Sequence, residues 1–361
     1  MRTRMFSLVL VLIGLHAAAP APAAESTRTL SLQLPAELSG PFAVENLAGT
    51  MRVVPGSGNQ VTAVATVHAE SEELAGLVRF ERVQGEHGEP SLRVRYPLER
   101  YPTIRYPAGS AAGSFLGMFL GSQNRTKYDG YKVRISDREG ALIYADVEVR
   151  IPPRAVTATF RNVAGLLHGE KVEGQLTFDS GSADITLEQL RGELVADTGS
   201  GDVKAADLEG SFTCDTGSGD CELTGFRGQR IVCDTGSGDI TARSVGAESF
   251  AADAGSGDIL VEKADLMQFE ADTGSGQIEL QARAERLTRI SADTGSGDVT
   301  LRLGPDASFE AHMDTGSGDV DSGYPDAEPM REDGELIGYR RGGGQIRIDV
   351  DTGSGDLSLR P

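Results

Sequence analysis

The sequence predicts an all-β protein, a single-stranded β-solenoid (β-helix) of about 18–21 residues per coil with an N-terminal β cap region. Three observations carry that prediction. First, the hexapeptide Asp-Thr-Gly-Ser-Gly-Asp stands unaltered at 197–202, 215–220, 234–239, 293–298, 314–319 and 351–356, with near-copies at 179–184, 253–258 and 272–277. The nine starts are separated by 18, 18, 19, 19, 19, 21, 21 and 37 residues, a period that means stacked units. Second, each copy is flanked by alternating apolar columns. Leu194, Phe212, Ile231, Phe250, Phe269 and Ile290 stand three residues before the leading Asp, and Val203, Cys221, Ile240, Ile259, Ile278 and Val299 follow the trailing residue. That is the period of two of a strand with one buried face. Third, helical periodicity is scarce, Trp is absent and Gly numbers 46, which fits short strands joined by tight corners.

The corner residues have physical reasons. Gly fills the third position in all nine copies and the fifth in eight, with Ala183 the exception, as required where the backbone turns through positive φ or passes close to itself. The leading Asp is expected to accept N–H bonds inside the turn, and stacked Thr and Ser hydroxyls to bond along the stack. Cys214 and Cys233 fall in the same inward column on successive coils, which leaves open a disulfide between them or two buried thiols.

Taken in order, the chain opens with Arg2 and Arg4, an apolar run at 5–15 and small residues at 21–24, the pattern of a signal peptide over 1–24. No later stretch is long and apolar enough to span a bilayer, so a secreted or periplasmic location is expected. Removing 1–24 takes away two arginines and no acid, moving the formal charge from −20 to −22. Such a chain has no basic stripe for nucleic-acid phosphates; the balance suits solubility and divalent cations. Residues 25–153 form an N-terminal β-strand region with a Gly/Ser-rich insert near 108–123, and 154–361 form the solenoid repeat domain. Asn46-Leu47-Ala48-Gly49 reads as a degenerate corner echoed by Asn162-Val163-Ala164-Gly165. Arg95-Tyr96-Pro97, Arg100-Tyr101-Pro102 and Arg105-Tyr106-Pro107, followed by an apolar tip at 114–121, read as an extended Pro-rich arm over 95–121 with its tip packed on its own domain, or as an Arg/Tyr cluster that stacks on sugars or dips into a lipid interface. The final gap of 37 reads as two coils, with 321–345 a degenerate coil interrupted by the charged loop 330–335.

Asp-Thr-Gly-Ser also occurs in aspartic proteases, but that enzyme needs two such loops facing each other so that two carboxylates share a proton, and nine in one regular stack cannot all be catalytic. His68, His87, His168 and His312 are scattered without metal spacing. No catalytic, cofactor-binding or metal-binding residue is therefore assigned. Calcium at the Asp ladders is kept as an expectation, because aspartates stacked about 4.8 Å apart repel and divalent cations relieve that.

The leader, alternating N-terminal strands, Asn-x-x-Gly turns and serial Asp-Thr-Gly-Ser-Gly-Asp units followed by Val or Ile resemble the bacterial putative-adhesin family of β-strand-repeat proteins, a domain of unknown function. The resemblance is strong over 160–361 and weak over 25–160, and its motifs specify architecture more than activity. It implies an extracytoplasmic β-solenoid with adhesion as its role and no catalytic residues to carry over. The expected function is a non-enzymatic envelope-associated scaffold with a glycan or protein partner. The alternatives are a β-helix polysaccharide-active enzyme and a calcium-stabilised extracellular module.

Overall fold

The computed structural model of the chain describes residues 25–34, 40–85, 88–107 and 124–361. The leader at 1–24, the insert near 108–123 and His87 lie outside the described residues. Among the described residues the elements are β-strands, apart from the six-residue helix Glu72–Leu77, capped by the Ser71 hydroxyl accepting from the Leu74 N–H.

From residue 156 onward the strands stack parallel, coil upon coil. Val156–Glu170 is followed on its outer side by Glu173–Ser180 and Asp184–Glu188, and these by Arg191–Thr198 and the first part of Val203–Thr216. Hexapeptide lies over hexapeptide without slippage, Asp197 on Asp215, Asp215 on Asp234 and Asp234 on Asp253. The period changes from 18 to 19 at a register shift between Gly210 and Ser211, where Gly228 pairs with Gly210 but Arg230 with Ser211. The extra residue is taken up as a bulge in the looser corner, so the Gly-rich corner stays in line.

The alternation read in the sequence is the core. Leu194, Phe212, Ile231, Phe250, Phe269 and Ile290 face Val203, Cys221, Ile240, Ile259, Ile278 and Val299, all no more than 1% exposed. Each buried side chain of this size contributes about 1.5–3 kcal/mol. The opposite corner repeats a left-handed residue once per coil: Lys171, Gln189, Asp207, Ser244 and Lys263 have φ of 53–57°, and Gly225 has 72°.

The stack begins earlier than residue 154. Phe42–Pro55 lies parallel against Val156–Glu170 with Asn46 on Asn162 and Gly49 on Gly165, so the two Asn-x-x-Gly turns are stacked corners. Beyond it lies a composite rung built from two separate strands, Pro90–Arg95 and Ala141–Ile151, both parallel to Phe42–Pro55. Antiparallel strands then close this end: Arg79–Gln84 on the first, Thr62–Ala69 on the second, and Ser26–Gln33 outside Thr62–Ala69. Reversing strand direction ends the repeat and removes an open parallel edge.

The other end departs from the expectation for 321–345, which is not a degenerate coil. Glu328–Glu332 and Glu335–Arg341 form an antiparallel hairpin turned by Asp333 and Gly334, both at positive φ, and the second strand runs antiparallel along Phe309–Thr315. The gap of 37 has a further cause. Ile346–Thr352 pairs with Arg289–Thr294 on one side and with Phe309–Thr315 on the other, and Leu357–Arg360 pairs likewise with Val299–Arg302 and Val320–Ser322. The coil that comes last in the sequence is therefore second to last in space, wedged between two coils that precede it. Side-chain chemistry explains the order. Ile346, Ile348, Val350, Leu357 and Leu359 are at most 4% exposed in the inner place, whereas the outer coil carries Asp321 and Ser322 where the end meets solvent.

Candidate functional site

The Gly-rich corner turns the chain sharply while keeping every position in line with its copy on the next rung. Its threonine is buried: Thr198, Thr216, Thr235, Thr273, Thr294 and Thr352 are each 1% exposed. Each hydroxyl makes the same pair of bonds. In Thr235 it accepts from the Gly238 N–H at 2.9 Å and donates to the Gly219 carbonyl of the preceding rung at 3.1 Å. One side chain thus closes its own turn and pins it to its neighbour. Ser180 closes its turn onto the Ala183 N–H, but Ala254 supplies no hydroxyl on its rung. Replacing Ala254 by Thr is expected to add one donor and one acceptor bond at a fully buried position, raising stability by about 1 kcal/mol in denaturant unfolding.

The corner glycines are required by close approach. A Cβ on Gly201, Gly219, Gly238, Gly257 or Gly276 would lie far inside van der Waals contact of the preceding rung's carbonyl oxygen. None of these glycines is at positive φ, so of the two reasons expected for them only crowding applies.

The two aspartates of the motif have different roles, and the backbone bonds expected of the leading one are made by the trailing one. The trailing residue makes the backbone bonds: the Asp220 N–H donates to Asp202 Oδ1 at 3.1 Å, Asp239 to Asp220 and Asp258 to Asp239 at 2.9 Å, and Gln277 to Asp258 at 2.8 Å. These bonds run from rung to rung rather than inside the turn. The leading aspartates point outward in register, in the spatial order 179, 197, 215, 234, 253, 272, 293, 351 and 314. Arg161 stands at the head of the column, its guanidinium 3.6 Å from Asp179. Together with the exposed serines between them, the two aspartate columns make one continuous acidic edge.

The leading column is electrostatically strained. Partial burial, then the charges of Asp215 and Asp253, raise the Asp234 carboxyl above its ordinary range; Asp272 is raised by burial and then by Asp293 and Asp253, and Asp351 by burial and then by Asp293 and Asp314. A folded chain that holds these protons more tightly than the unfolded chain loses stability as pH rises through the window just above the usual aspartate value. The thermal midpoint is accordingly expected to climb as pH falls into that window, and Asp234→Asn to raise it at pH 7 with the gain vanishing in acid.

The remaining sequence candidates separate clearly. All three cysteines are buried free thiols, and the close pair is Cys221 with Cys233, Sγ to Sγ 3.7 Å, across the core interior. The pairing of Cys214 with Cys233 read from the shared column is not the close approach, because neighbours on parallel rungs point the same way. The hydrogen bond with Cys221 and then burial push the Cys233 thiol well up, away from the reactive thiolate. The Arg-Tyr-Pro arm is packed on its own domain over its described part. Tyr96 is 6% exposed with its hydroxyl donating to Asn46 Oδ1 at 2.8 Å, and Tyr106 meets Tyr144 edge-on at 5.2 Å. His68 stacks on Tyr144 between Glu25 and Asp146, both at 3.2 Å. Among the described residues no group of three or more His, Cys, Asp or Glu side chains could hold a metal ion.

Sequence reading missed one cluster. Arg93 bridges Glu45 and Asp129, both at 2.9 Å, and Arg95 reaches Asp129 at 3.1 Å, tying the composite rung to the first full coil. Glu45, the Arg93/Arg95 pair and Asp129 lie far apart along the chain, so no local pattern could reveal the cluster. In the other direction, Arg227, Lys263, Arg283, Arg286 and Arg302 line an open groove of about 930 Å³ on the looser corner, away from the acidic edge.

Parallel coils kept in register by a pinned corner and closed at both ends by antiparallel strands define an all-β, β-solenoid-like repeat protein. No helix among the described residues is long and apolar enough to cross a membrane. The Toastrack DUF4097 family model matches residues 145–360, well over half of the chain, and the chain belongs to that family. No curated protein matches it. Two solved structures are similar: a putative cell adhesion protein from Clostridium sporogenes, at 8% identity and a TM-score of 0.25 with 93% of this chain and 99% of that one covered, and a putative lipid binding protein from Parabacteroides distasonis, at 12% and 0.43 with 92% and 97% covered.

Proposed function

We propose that this chain is a non-enzymatic, extracytoplasmic binding scaffold, secreted or periplasmic, whose single-stranded β-solenoid presents the acidic edge to a cationic envelope or extracellular partner. The carrying observation is the leading-aspartate column: nine carboxylates in register on rungs about 4.8 Å apart, on a frame whose corner bonds allow no local adjustment. Acid–base catalysis needs a pair of groups with different environments, and every rung here repeats its neighbour. A rigid array of equal charges instead gives additive, salt-sensitive attraction to a repeating cation and fast association. The probe is poly-lysine. Binding of the mature chain should weaken steeply with added salt and be largely lost in a variant carrying Asn at 215, 234, 253 and 272. Equal binding by that variant would refute the reading.

Calcium is the second reading, favoured by the raised carboxyls of the leading column, whose mutual repulsion a divalent ion relieves. It requires a rise in thermal midpoint with calcium that magnesium does not reproduce and chelator reverses.

A further inference from the structure

We propose that the gap between the coil at 289–302 and the coil at 309–322 is a strand-acceptor site, and that segment 345–361 of a second copy of this chain can occupy it, giving a reciprocally exchanged dimer. In the closed chain that segment is bonded to both walls of the gap. The Arg347 N–H donates to the Thr288 carbonyl at 3.0 Å and the Val299 N–H to the Asp356 carbonyl at 2.9 Å; on the other wall, the Leu357 N–H donates to the Asp319 carbonyl at 2.9 Å and the Ile346 N–H to the Ser308 carbonyl at 2.9 Å. The corner pins run through it as well: Thr352 Oγ1 donates to the Gly297 carbonyl at 3.1 Å, and Thr315 Oγ1 to the Gly355 carbonyl at 3.0 Å.

Three features make the gap a site rather than an ordinary position in the stack. Residues 303–308 carry the chain across a full rung, so the walls are set by segments that precede the filler in sequence. With the filler withdrawn, two parallel-strand edges face each other over the apolar floor of the core, a surface that only a strand with the same alternation and the same corner can satisfy. The filler is joined to the hairpin before it through 342–344, three consecutive glycines of which Gly342 and Gly344 sit at φ 62° and 67°, a joint that can swing without side-chain penalty. Every contact above is between the segment and the walls, so each is reproduced when the segment comes from another copy. At low concentration the tether favours the closed chain, and exchange is populated when chains open together at high concentration.

The experiment uses the full chain in two differently tagged forms, S291C and D349C, unfolded together, refolded at high concentration and treated with a short bis-maleimide. Ser291 and Asp349 are register partners on the outer face, and the native cysteines are buried beyond reach of the reagent. The expected product carries both tags at twice the chain mass, matched by a dimer peak for the unmodified chain refolded in the same way. The S291C/D349C double variant, left folded, should cross-link within one chain. If the double variant closes but mixed copies never link, the gap is filled only by its own chain and the proposal falls. It falls equally if S291C links to H312C in place of D349C, since that is the order in which coils follow the sequence.

Discussion

Replacing Gly238 by Ala is expected to destabilise the folded chain by about 3 kcal/mol or more, among the largest effects open to a single methyl group. The added Cβ would fall far inside contact distance of the Gly219 carbonyl oxygen and close to the Asp220 backbone nitrogen. Both atoms belong to the preceding rung and are held in place, the Gly219 carbonyl by the Thr235 hydroxyl and the Asp220 N–H by Asp202 Oδ1, so neither can withdraw cheaply. The control is Gly246→Ala on the looser corner. Its nearest neighbour would be the Phe226 carbonyl oxygen at 3.8 Å, ordinary contact, and its cost should stay within about 0.5 kcal/mol. Denaturant unfolding of the two variants beside the parent decides the matter, and equal costs would mean that the corners are not in register.

Asn46→Ala is expected to cost about 3 kcal/mol and to uncouple the N-terminal strands from the stack. The Asn46 side chain is fully buried, donating from Nδ2 to the Ala145 carbonyl at 2.8 Å and to Asn162 Oδ1 at 3.0 Å while its Oδ1 accepts from the Tyr96 hydroxyl. Asn162 carries the chain of bonds onward to the Gly49 and Leu166 carbonyls, at 2.8 and 2.9 Å. Alanine would leave several buried partners unsatisfied at once, each costing about 1–3 kcal/mol before relaxation. Hydrogen exchange would report the uncoupling as loss of protection over 141–151 with the later rungs unchanged; uniform loss across the chain would contradict a local role.

How far these features are legible in the sequence depends on whether they are periodic. The inward columns, the corner glycines and the paired Asn-x-x-Gly turns repeat, so comparing one copy with the next isolates them, and the structure places Asn46 on Asn162 accordingly. The division of labour between the two aspartates is not legible, because the leading one stands in all nine copies and the trailing one in eight, while only geometry distinguishes a carboxylate over the next rung's N–H from one pointing to solvent. The position of the last coil is hidden for a related reason. A spacing of 37 counts residues between copies but not which copy they meet, and the clue lies in composition, in the exchange of Ile348 and Val350 for Ala311 and Met313. The Arg93 cluster depends on contacts between residues far apart in the chain, which period and composition leave undetermined.

The wedged coil alters how the molecule comes apart from its tail. In a stack whose order follows the sequence, the final residues form the outermost layer and fray one ladder at a time. Here Leu357 and Leu359 are fully buried between two layers, and loosening the tail ruptures hydrogen bonds on both flanks together. A pulling force acting on segment 346–360 therefore meets the chain at a guarded point, and Val320–Ser322, although earlier in sequence, is the strand that breathes first.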